Sequence, residues 1–476
     1  KGSAFVDDTL HDDAITISGQ AGTIHVVSAG NARLSVARDS GKQMKMDNQW
    51  AIVVSAMSFQ GQVASYSSFG ANVFCTAPSS SAAMPSLTTA DRLGQGFGYD
   101  GIPSFYDYTN QFGGTSASTP LVAGVLALLK QAQPIADTRF AKHMLVRTCR
   151  VIDPNTVDDP SDGGWRTNAA GFKSNQNFGF GLIDANALTL LGASCDGVTK
   201  PASWDSGALQ INQAIPDSNA TGLVTTFPCP VTGNVETVEA FVDLAHTNRG
   251  DIEIYLTSPS GFRSRVCIAS NADPVTTGMK WKFLANAFWG EKSTGDWKLA
   301  VVDNRRPANT GTLNSVRLRI NLGLPTKLAA VSGKAMPTQW LSAQAVDGEI
   351  KLLYPGSSLV AVQTPATIQA DGTFVANTPL PDGTFDVGIK ASHWLARRVN
   401  GVTFSGGASG LNTSLQNGDC DGNNLVNSDD YLLLVEHFDA LLGDAEYDSR
   451  ADLDGDGYVG TDDYLILSDS FGDLGD

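Results

Sequence analysis

The sequence has few histidines, few positive charges and no long apolar run, and these shortages exclude several classes of protein. Only six of the 476 residues are histidine, and 32 lysines and arginines stand against 49 aspartates and glutamates, so the formal net charge is −17. That charge excludes a protein that holds nucleic acid by neutralising its phosphates. No stretch approaches the ~20 apolar residues of a membrane-spanning helix, so no transmembrane segment is predicted.

Cysteine is also scarce, and no two cysteines form a Cys-x-x-Cys pair, which excludes a zinc ribbon and a thioredoxin-type motif. The six cysteines are Cys75, Cys149, Cys195, Cys229, Cys267 and Cys420. An even number permits disulfides in an extracellular protein, but the spacing alone leaves many connectivities open. We expect Cys229 to pair with Cys267, because both fall in one β-rich segment, and Cys420 to be free within an acidic loop.

Four regions follow one another along the chain and differ in their hydrophobic pattern. Residues 1–195 combine short apolar runs with a helical pattern at 117–133, which predicts an α/β domain with a parallel sheet. Residues 196–323 alternate apolar and polar side chains between Gly, Pro and Asn, which predicts a β-sandwich or jelly roll. Residues 324–415 repeat this pattern over a length that suits one small β-sandwich. Residues 416–476 form a small helical region with an internal repeat.

The repeat near the C-terminal end carries oxygen-bearing side chains at the spacing of a calcium-binding loop. Its two copies, DCDGNNLVNSDD and DLDGDGYVGTDD, begin at Asp419 and Asp452. Calcium takes roughly six to eight oxygen ligands, which a loop of about 12 residues supplies from positions 1, 3, 5, 7, 9 and 12. The predicted ligands are Asp419, Asp421, Asn423, the Leu425 carbonyl, Asn427 and Asp430 in the first loop, and Asp452, Asp454, Asp456, the Tyr458 carbonyl and Asp463 in the second, where Gly460 leaves position 9 to water. A solvated acidic tail would not repeat its oxygen donors in one register, so calcium is the predicted cofactor.

A serine lies at the start of the most apolar helical pattern, within FGGTSASTPLVAGVLALL at 112–129. The N-terminal end of a helix offers free N–H groups and the positive end of the helix dipole, which stabilise negative charge on a nearby oxygen. A Gly-Thr-Ser sequence by itself is more often an ordinary N-cap. Two further segments bear on whether this serine is a catalytic residue or an ordinary N-cap. They are TIHVVSAGN at 23–31 and FGFGLIDANALTLL at 178–191.

In this order, the three segments resemble the subtilisin-like (S8) serine proteases, and the last one is most similar to the kexin branch. The resemblance implies that Ser116 is the nucleophile and that Asn31 donates its side-chain amide to the oxyanion of the tetrahedral intermediate. The backbone N–H of Ser116 would be the second donor. The implied reaction is hydrolysis of peptide bonds in protein or peptide substrates through an acyl-enzyme.

The catalytic aspartate and histidine of this family precede the asparagine strand, and the sequence has no match to either. Only His11 and His25 precede Asn31, and neither stands in the family's HGTHVAG context. We expect His25 to pack within a strand and His11 to be solvated at the start of a helix. The sequence begins at Lys1 rather than Met and shows no signal peptide. We therefore expect the N-terminal part of the catalytic domain, with the general base, to lie outside this sequence and to act as its partner.

The second region resembles the P domain of kexin-like and furin-like proteases, which packs on the catalytic domain and stabilises it. The matching residues are HTNRGDIEIYLTSPSG at 246–261, Trp281, Trp289–Glu291, Gly295–Trp297 and Gly311–Leu313. The triplet Arg249–Asp251 also spells an integrin-binding motif, but a structural role at the start of a strand is the preferred interpretation. In the third region, DGTF and DGTFDVGIKASHWL resemble a carboxypeptidase-regulatory or transthyretin-like sandwich, which would act as a spacer.

The calcium loops differ from those of a sensor EF-hand, because position 12 is Asp rather than Glu and no helix precedes either loop. Both features resemble dockerin modules, whose helices follow the loops, here SDDYLLLVEHF and TDDYLILSDSF. Asn424 replaces the usual Gly, which is tolerated because Asn accepts a positive φ. The resemblance implies a cohesin-like or cell-surface partner, or a role confined to stability and attachment.

Together, these features predict a secreted or cell-surface, calcium-stabilised serine endopeptidase of the subtilisin/kexin type. The low content of charged residues, 17%, and the 49 glycines suit a secreted β-rich protein better than a cytosolic helical one. The chain alone would be nearly inert, since an alcohol without a general base is a weak nucleophile. The alternative is a non-catalytic surface or scaffold protein that keeps a degenerate protease fold and works through its β-rich and dockerin-like regions.

Overall fold

The computed structural model describes residues 5–34, 39–80, 86–99, 106–157, 162–271 and 273–476. These ranges contain the α-helices α1 (Thr9–Gln20), α2 (Thr115–Ala132), α3 (Thr138–Thr148), α4 (Ala185–Ala193), α5 (Ser428–Glu436) and α6 (Thr461–Asp469). The chain divides into two units, residues 1–195 with 203–323 and residues 196–202 with 324–476. None of the helices in the described ranges is both long and apolar enough to cross a membrane.

The first part of the first unit is an α/β fold around a parallel sheet, as predicted. The sheet consists of β1 (His25–Ser28), β2 (Ala51–Met57) and β3 (Val73–Pro78), in that order. The central strand β2 is almost wholly buried, because parallel sheets are covered on both faces and use continuous apolar runs. Helix α2 matches the helical pattern at 117–133 and packs against all three strands and against α4. Two hairpins complete this part, β4 (Leu87–Ala90) with β5 (Tyr108–Phe112) and β6 (Arg166–Thr167) with β7 (Lys173–Ser174).

The second part of the first unit is a β-sandwich of two antiparallel sheets, as the period-two pattern predicts. One sheet contains β9 (Ala202–Asp205), β10 (Leu209–Ile215), β12 (Val235–His246), β15 (Met279–Ala285) and β17 (Gly311–Leu322). The other contains, in spatial order, β11 (Asn219–Cys229), β16 (Gly295–Asp303), β13 (Ile252–Thr257) and β14 (Arg263–Cys267). Strand β13 alternates strictly between buried and half-buried residues, so one face of each sheet forms the core.

Buried polar contacts join this sandwich to the α/β part. The Lys42 ammonium donates to the Ile268 carbonyl at 2.8 Å, and the Trp281 indole N–H donates to the Gly41 carbonyl at 2.8 Å. Arg139 on α3 forms an ion pair with Glu236 on β12, with 2.7 Å between Nη2 and Oε1. Since buried polar groups are costly unless paired, these bonds hold the two parts in one relative position.

The triplet Arg249–Asp251 forms a buried 3₁₀ turn immediately before β13. The Arg249 guanidinium pairs with Asp273 at 2.9 Å, and the Asp251 carboxylate accepts a hydrogen bond from the Asn309 amide at 2.6 Å. Neither side chain is presented for recognition, so the structural interpretation of this triplet is confirmed.

In the region predicted as a small β-sandwich at 324–415, the described part of the second unit contains a sheet of eight strands. Its strands are β8 (Gly197–Val198), β18 (Pro325–Pro337), β19 (Val346–Leu353), β20 (Val360–Ile368), β21 (Thr373–Leu380), β22 (Gly383–Ala391), β23 (Trp394–Phe404) and β24 (Gly407–Leu415). We call them the eight-stranded sheet. A hairpin at Gly372, with φ +82°, continues the sheet from β20 to β21, and β24 pairs in parallel with β18.

The six cysteines are all free, so the predicted Cys229–Cys267 pairing is wrong and the prediction of a free Cys420 is confirmed. Cys229 ends β11 and Cys267 ends β14, which are the two outer strands of one sheet. Two strands lie between them, so at ~4.8 Å per strand the Cα atoms are well beyond the ~7 Å that a disulfide allows.

Candidate active site and calcium loops

Ser116 lies exposed in the first turn of α2, at the predicted place. The helix starts from Gly114, whose φ is +81°. The start of the helix is fixed to the end of β3, because the Ser118 hydroxyl donates to the Ala77 carbonyl at 3.0 Å and the Ser79 hydroxyl donates to the Gly114 carbonyl at 2.7 Å. A fixed helix start keeps the serine and the neighbouring free N–H groups in one geometry.

Asn31 follows β1 and meets the same helix start. Its side-chain oxygen Oδ1 accepts from the backbone N–H and from the hydroxyl of Thr115, each at 2.9 Å. With Oδ1 engaged, the amide group Nδ2 remains as the donating end of the side chain. A Cβ at Gly114 would lie 2.9 Å from Nδ2, so glycine is required there both for its positive φ and for this close approach.

No histidine lies within hydrogen-bond distance of Ser116 in the described part of the chain. His11 is exposed beside Asp8, and His25 contacts the Ser18 hydroxyl at 2.7 Å. Two histidines contact carboxylates: His143 contacts Glu236 at 2.8 Å and His246 contacts Asp303 at 3.0 Å. His393 is buried, and His437 contacts the Glu446 carbonyl at 2.5 Å. The positions of His11 and His25 are those predicted. Neither of them serves as a general base for Ser116 in this structure.

Two surfaces next to this site are open although their composition is typical of a covered one. Leu121 and Leu128 on α2 are 41% and 50% exposed. Strand β1 is half-buried along its length and has β2 as its one sheet partner within the described ranges. A parallel strand with a free edge beside apolar helix residues is suited to accept further protein.

Each predicted calcium loop gathers three carboxylates into one cluster. Carboxylate oxygens of Asp419, Asp421 and Asp430 lie within 4.8 Å of one another, as do those of Asp452, Asp454 and Asp463. The carboxylate at position 12 closes each loop: Asp430 accepts from the Asp421 and Asn427 N–H groups, and Asp463 accepts from the N–H groups of Leu453, Asp454 and Gly460. Helices α5 and α6 follow the loops, as predicted, and Asn424 has φ +73°.

These clusters fit a hard divalent cation. The Oδ1 atom of Asp419 is buried without a hydrogen-bond partner within the described residues. Burial, together with repulsion from the neighbouring carboxylates, raises the pKa of Asp454 to about 6 and raises the pKa of Asp463. Crowded carboxylates of this kind are stabilised when a cation neutralises them.

Three further predicted ligands are not members of these carboxylate clusters and accept hydrogen bonds within their own loops. The side-chain oxygens of Asn423, Asn427 and Asp456 accept from the N–H groups of Leu425, Asp429 and Tyr458. Asp456 lies outside the cluster of the second loop. In both loops, the carboxylates that the structure brings together are those at positions 1, 3 and 12.

Sequence reasoning missed three residues that support these sites. Thr115 orients Asn31, Lys390 contacts Asp419, and Tyr447 contacts Asp452. Thr115 lies inside the recognised serine motif, so its hydroxyl could have been considered. Lys390 belongs to a strand far from the loops in sequence, and no local pattern identifies it.

Two regions of the chain match the models of known families. Residues 2–181 match the model of the Subtilase family, and residues 235–320 match that of the proprotein convertase P-domain. The chain therefore contains a region similar to the Subtilase family, followed by a region similar to the proprotein convertase P-domain.

Individual relatives cover different parts of the chain. "Proprotein convertase subtilisin/kexin type 5" of Homo sapiens is 37% identical over 202 residues, which are 41% of this chain and 10% of that protein. The extracellular serine protease of Aeromonas sobria is 29% identical over 322 residues, 58% of this chain and 51% of that protein. The chain thus spans about a tenth of the human relative and about half of the bacterial one.

The solved structure of the Aeromonas sobria serine protease in complex with a chaperone shares the fold. It superposes with a TM-score of 0.62 at 24% identity and covers 67% of this chain and 68% of that protein. Agreement at this level of identity shows the shared architecture of the subtilase domain and the P-domain.

Proposed function

We propose that this chain is part of a secreted, calcium-stabilised serine endopeptidase that cleaves protein or peptide substrates through an acyl-enzyme. Ser116 is the nucleophile in this proposal. The Asn31 amide and the Ser116 backbone N–H hold the oxyanion of the tetrahedral intermediate. The observation that carries the proposal is the pair of hydrogen bonds from Thr115 to Asn31 Oδ1, which leaves Nδ2 to donate at the start of α2.

The general base and its orienting carboxylate come, in this proposal, from a segment outside the sequence. Ser116 has no basic side chain within hydrogen-bond distance in the described part of the chain, whereas the free edge of β1 and the exposed leucines of α2 offer a place for that segment. A serine hydroxyl needs a neighbouring base to become a useful nucleophile. Removal of triad members leaves only the residual catalysis of the oxyanion hole.

A peptidase assay on the protein made from its complete gene tests this function. We expect hydrolysis of a casein-type or mixed-peptide substrate, and loss of at least about a thousandfold in kcat for Ser116→Ala. Ser414→Ala is the control, because Ser414 is an exposed serine on β24 of the second unit and takes no part in the start of α2. Equal activity of the wild type and Ser116→Ala would refute the proposal.

A non-catalytic scaffold is the second candidate, and one observation favours it. Each histidine of the chain has surroundings that do not include Ser116, as a degenerate protease domain would also show. The two candidates differ in the complete protein: the protease requires a histidine within reach of Ser116, and the scaffold does not. The assay above separates them.

The cofactor we propose is calcium, bound at the two loops of residues 419–430 and 452–463. The carboxylates of Asp419, Asp421 and Asp430 would hold one ion, and those of Asp452, Asp454 and Asp463 the other. The Leu425 and Tyr458 carbonyls and the remaining loop oxygens would complete the coordination. Bound calcium would neutralise the crowded carboxylates and thereby stabilise the dockerin-like region.

The same region is a proposed docking surface for a cohesin-like or cell-surface protein. Tyr431 and Leu432 on α5 correspond in the repeat to Tyr464 and Leu465 on α6, and all four are 41% to 62% exposed. The Tyr431 and Tyr464 rings lie 6.3 Å apart, so the duplicated positions form one apolar surface. Exposed aromatic and aliphatic clusters of this kind are typical of protein interfaces.

A further inference from the structure

The first aspartate of each calcium loop receives the same hydrogen bond from two chemically different donors. In the first loop, Asp419 Oδ2 accepts from the Lys390 ammonium at 2.6 Å. In the second loop, Asp452 Oδ2 accepts from the Tyr447 hydroxyl at 2.6 Å. At this contact the first loop has a lysine ammonium, which is a cation, and the second loop has a tyrosine hydroxyl, which is neutral.

Lys390 is held firmly in this position by the eight-stranded sheet. It lies near the end of β22, and its ammonium also donates to the Trp394 carbonyl at 2.6 Å and to the Ser392 carbonyl at 3.0 Å. Its side chain is 18% exposed. The loop itself is tied to the same turn, because the Asp419 N–H donates to the His393 carbonyl at 2.9 Å. The ammonium is thus fixed beside the first loop.

The two loops also differ in their own charge. The first loop has aspartates at positions 1, 3 and 12, and the second has a further aspartate, Asp456, at position 5. With Lys390 included, the first loop has one carboxylate fewer and one ammonium more than the second. Calcium affinity rises with the negative charge of the ligand set, and a fixed positive charge within a few ångströms opposes the ion.

We propose that Lys390 makes the first loop the weaker of two calcium sites, so that the eight-stranded sheet sets the affinity of the neighbouring metal site. This inference rests on the proposed calcium binding. The buried Oδ1 of Asp419, which has no partner in the described part of the chain, is the atom left for the ion, while Oδ2 holds the lysine and the Asn424 N–H. The second site fills first as calcium rises, and the first site responds at higher concentrations.

Calcium titration of the full metal-free chain by calorimetry tests this inference. We expect two binding phases in the wild type. Asp430→Asn should abolish the weaker phase and Asp463→Asn the tighter one, which assigns each phase to a loop. Lys390→Gln keeps a neutral hydrogen-bond donor and removes the charge, so it should tighten the weaker phase roughly tenfold. Lys390→Arg keeps the charge and should leave that phase weak.

Tyr447→Phe is the matched variant of the second loop, because it removes the corresponding bond without changing the charge. We expect it to weaken the tighter phase by a few fold, the direction opposite to Lys390→Gln.

If Lys390→Gln leaves the weaker phase unchanged or weakens it, the lysine merely orients Asp419 and the inference is overturned. If the wild type shows no calcium binding, the proposed calcium function itself is overturned. Far-UV circular dichroism in saturating calcium identifies any variant that fails to fold, and Lys390→Met then provides the second neutral substitution.

Discussion

At the scale of single residues, the candidate active site depends on one threonine that the motif does not mark as functional. The Thr115 hydroxyl donates to Asn31 Oδ1 at 2.9 Å and accepts from the Gly30 N–H at 3.2 Å. It therefore fixes both the side chain of Asn31 and the backbone that precedes it. A donor must be held within a fraction of an ångström to stabilise an oxyanion, so this positioning has a measurable consequence.

We predict that Thr115→Val lowers kcat of the complete protease roughly tenfold with little change in KM, because Asn31 loses one of two bonds that aim its amide. Thr115→Ser keeps the hydroxyl and should retain most of the activity. Steady-state kinetics on a peptide substrate measures the effect. An unchanged kcat in Thr115→Val would show that the backbone N–H of Thr115 alone positions Asn31.

A second prediction concerns Glu236, which lies buried where the α/β part meets the sandwich. Burial disfavours its carboxylate, but the Arg139 guanidinium and the His143 ring, which both contact this carboxylate, together outweigh burial and lower the pKa of Glu236 to about 2, from 4.5. Glu236→Gln should therefore lower the free energy of unfolding at pH 7 by about 3 kcal/mol, since it removes the carboxylate that neutralises the charge of the buried Arg139.

The pH dependence of this stabilisation follows from the depressed pKa. A group whose pKa is lower in the folded state stabilises the fold above its unfolded pKa and loses that effect as the pH falls towards its folded pKa. The difference in the free energy of unfolding between wild type and Glu236→Gln should thus have its full value above pH 5 and become smaller as the pH falls from 4.5 to about 2. Urea unfolding at a series of pH values measures it, and a difference independent of pH would contradict the assignment.

Residue positions within motifs were predictable from the sequence, whereas partners from distant segments were not. Ser116, Asn31 and the loop aspartates stand in recognisable local order, because a helix start and a metal loop are local structures. Lys390 reaches Asp419 only after β22 has paired with β19 and β23. That contact depends on tertiary register, which a single sequence does not reveal.

At the scale of elements, the strands and the long helix of the first unit follow the hydrophobic pattern closely. Helix α2 spans Thr115–Ala132 where the pattern indicates 117–133. The strand order of the eight-stranded sheet could not be predicted, because a period-two pattern gives the faces of each strand but not its neighbours. The parallel pairing of β18 with β24 joins the first and last strands of the region at 324–415, and no short-range signal marks it.

Metal removal should act on the helices after the loops and spare the first unit. The N-terminal ends of α5 and α6 are held by Asp430 and Asp463, which also belong to the carboxylate clusters. When a chelator removes calcium, mutual repulsion of these carboxylates should open the loops and unfold both helices. Hydrogen exchange in EGTA should show lost protection over residues 416–476 and unchanged protection in β12 and β17. Equal protection with and without calcium would contradict metal-stabilised loops.

At the scale of the whole molecule, the regions that match the Subtilase family and the P-domain lie in one unit, and the eight-stranded sheet and the proposed calcium loops lie in the other. The sequence allowed the order of these regions to be predicted, because each has a distinct pattern or motif. The histidine and aspartate of the triad could not be placed from this sequence. The structure brings Ser116 and Asn31, the proposed nucleophile and oxyanion donor, together at the start of α2, and within the described ranges α2 and β1 keep exposed or half-buried residues.

The most direct test of this account is labelling with a fluorophosphonate probe, followed by mass spectrometry of the peptide that contains Ser116. The probe modifies a serine only when a neighbouring base activates it. We predict that Ser116 is modified in the protein made from the complete gene, and that the present chain alone is not modified. Absence of modification at Ser116 in the complete protein would contradict the account and favour the scaffold function.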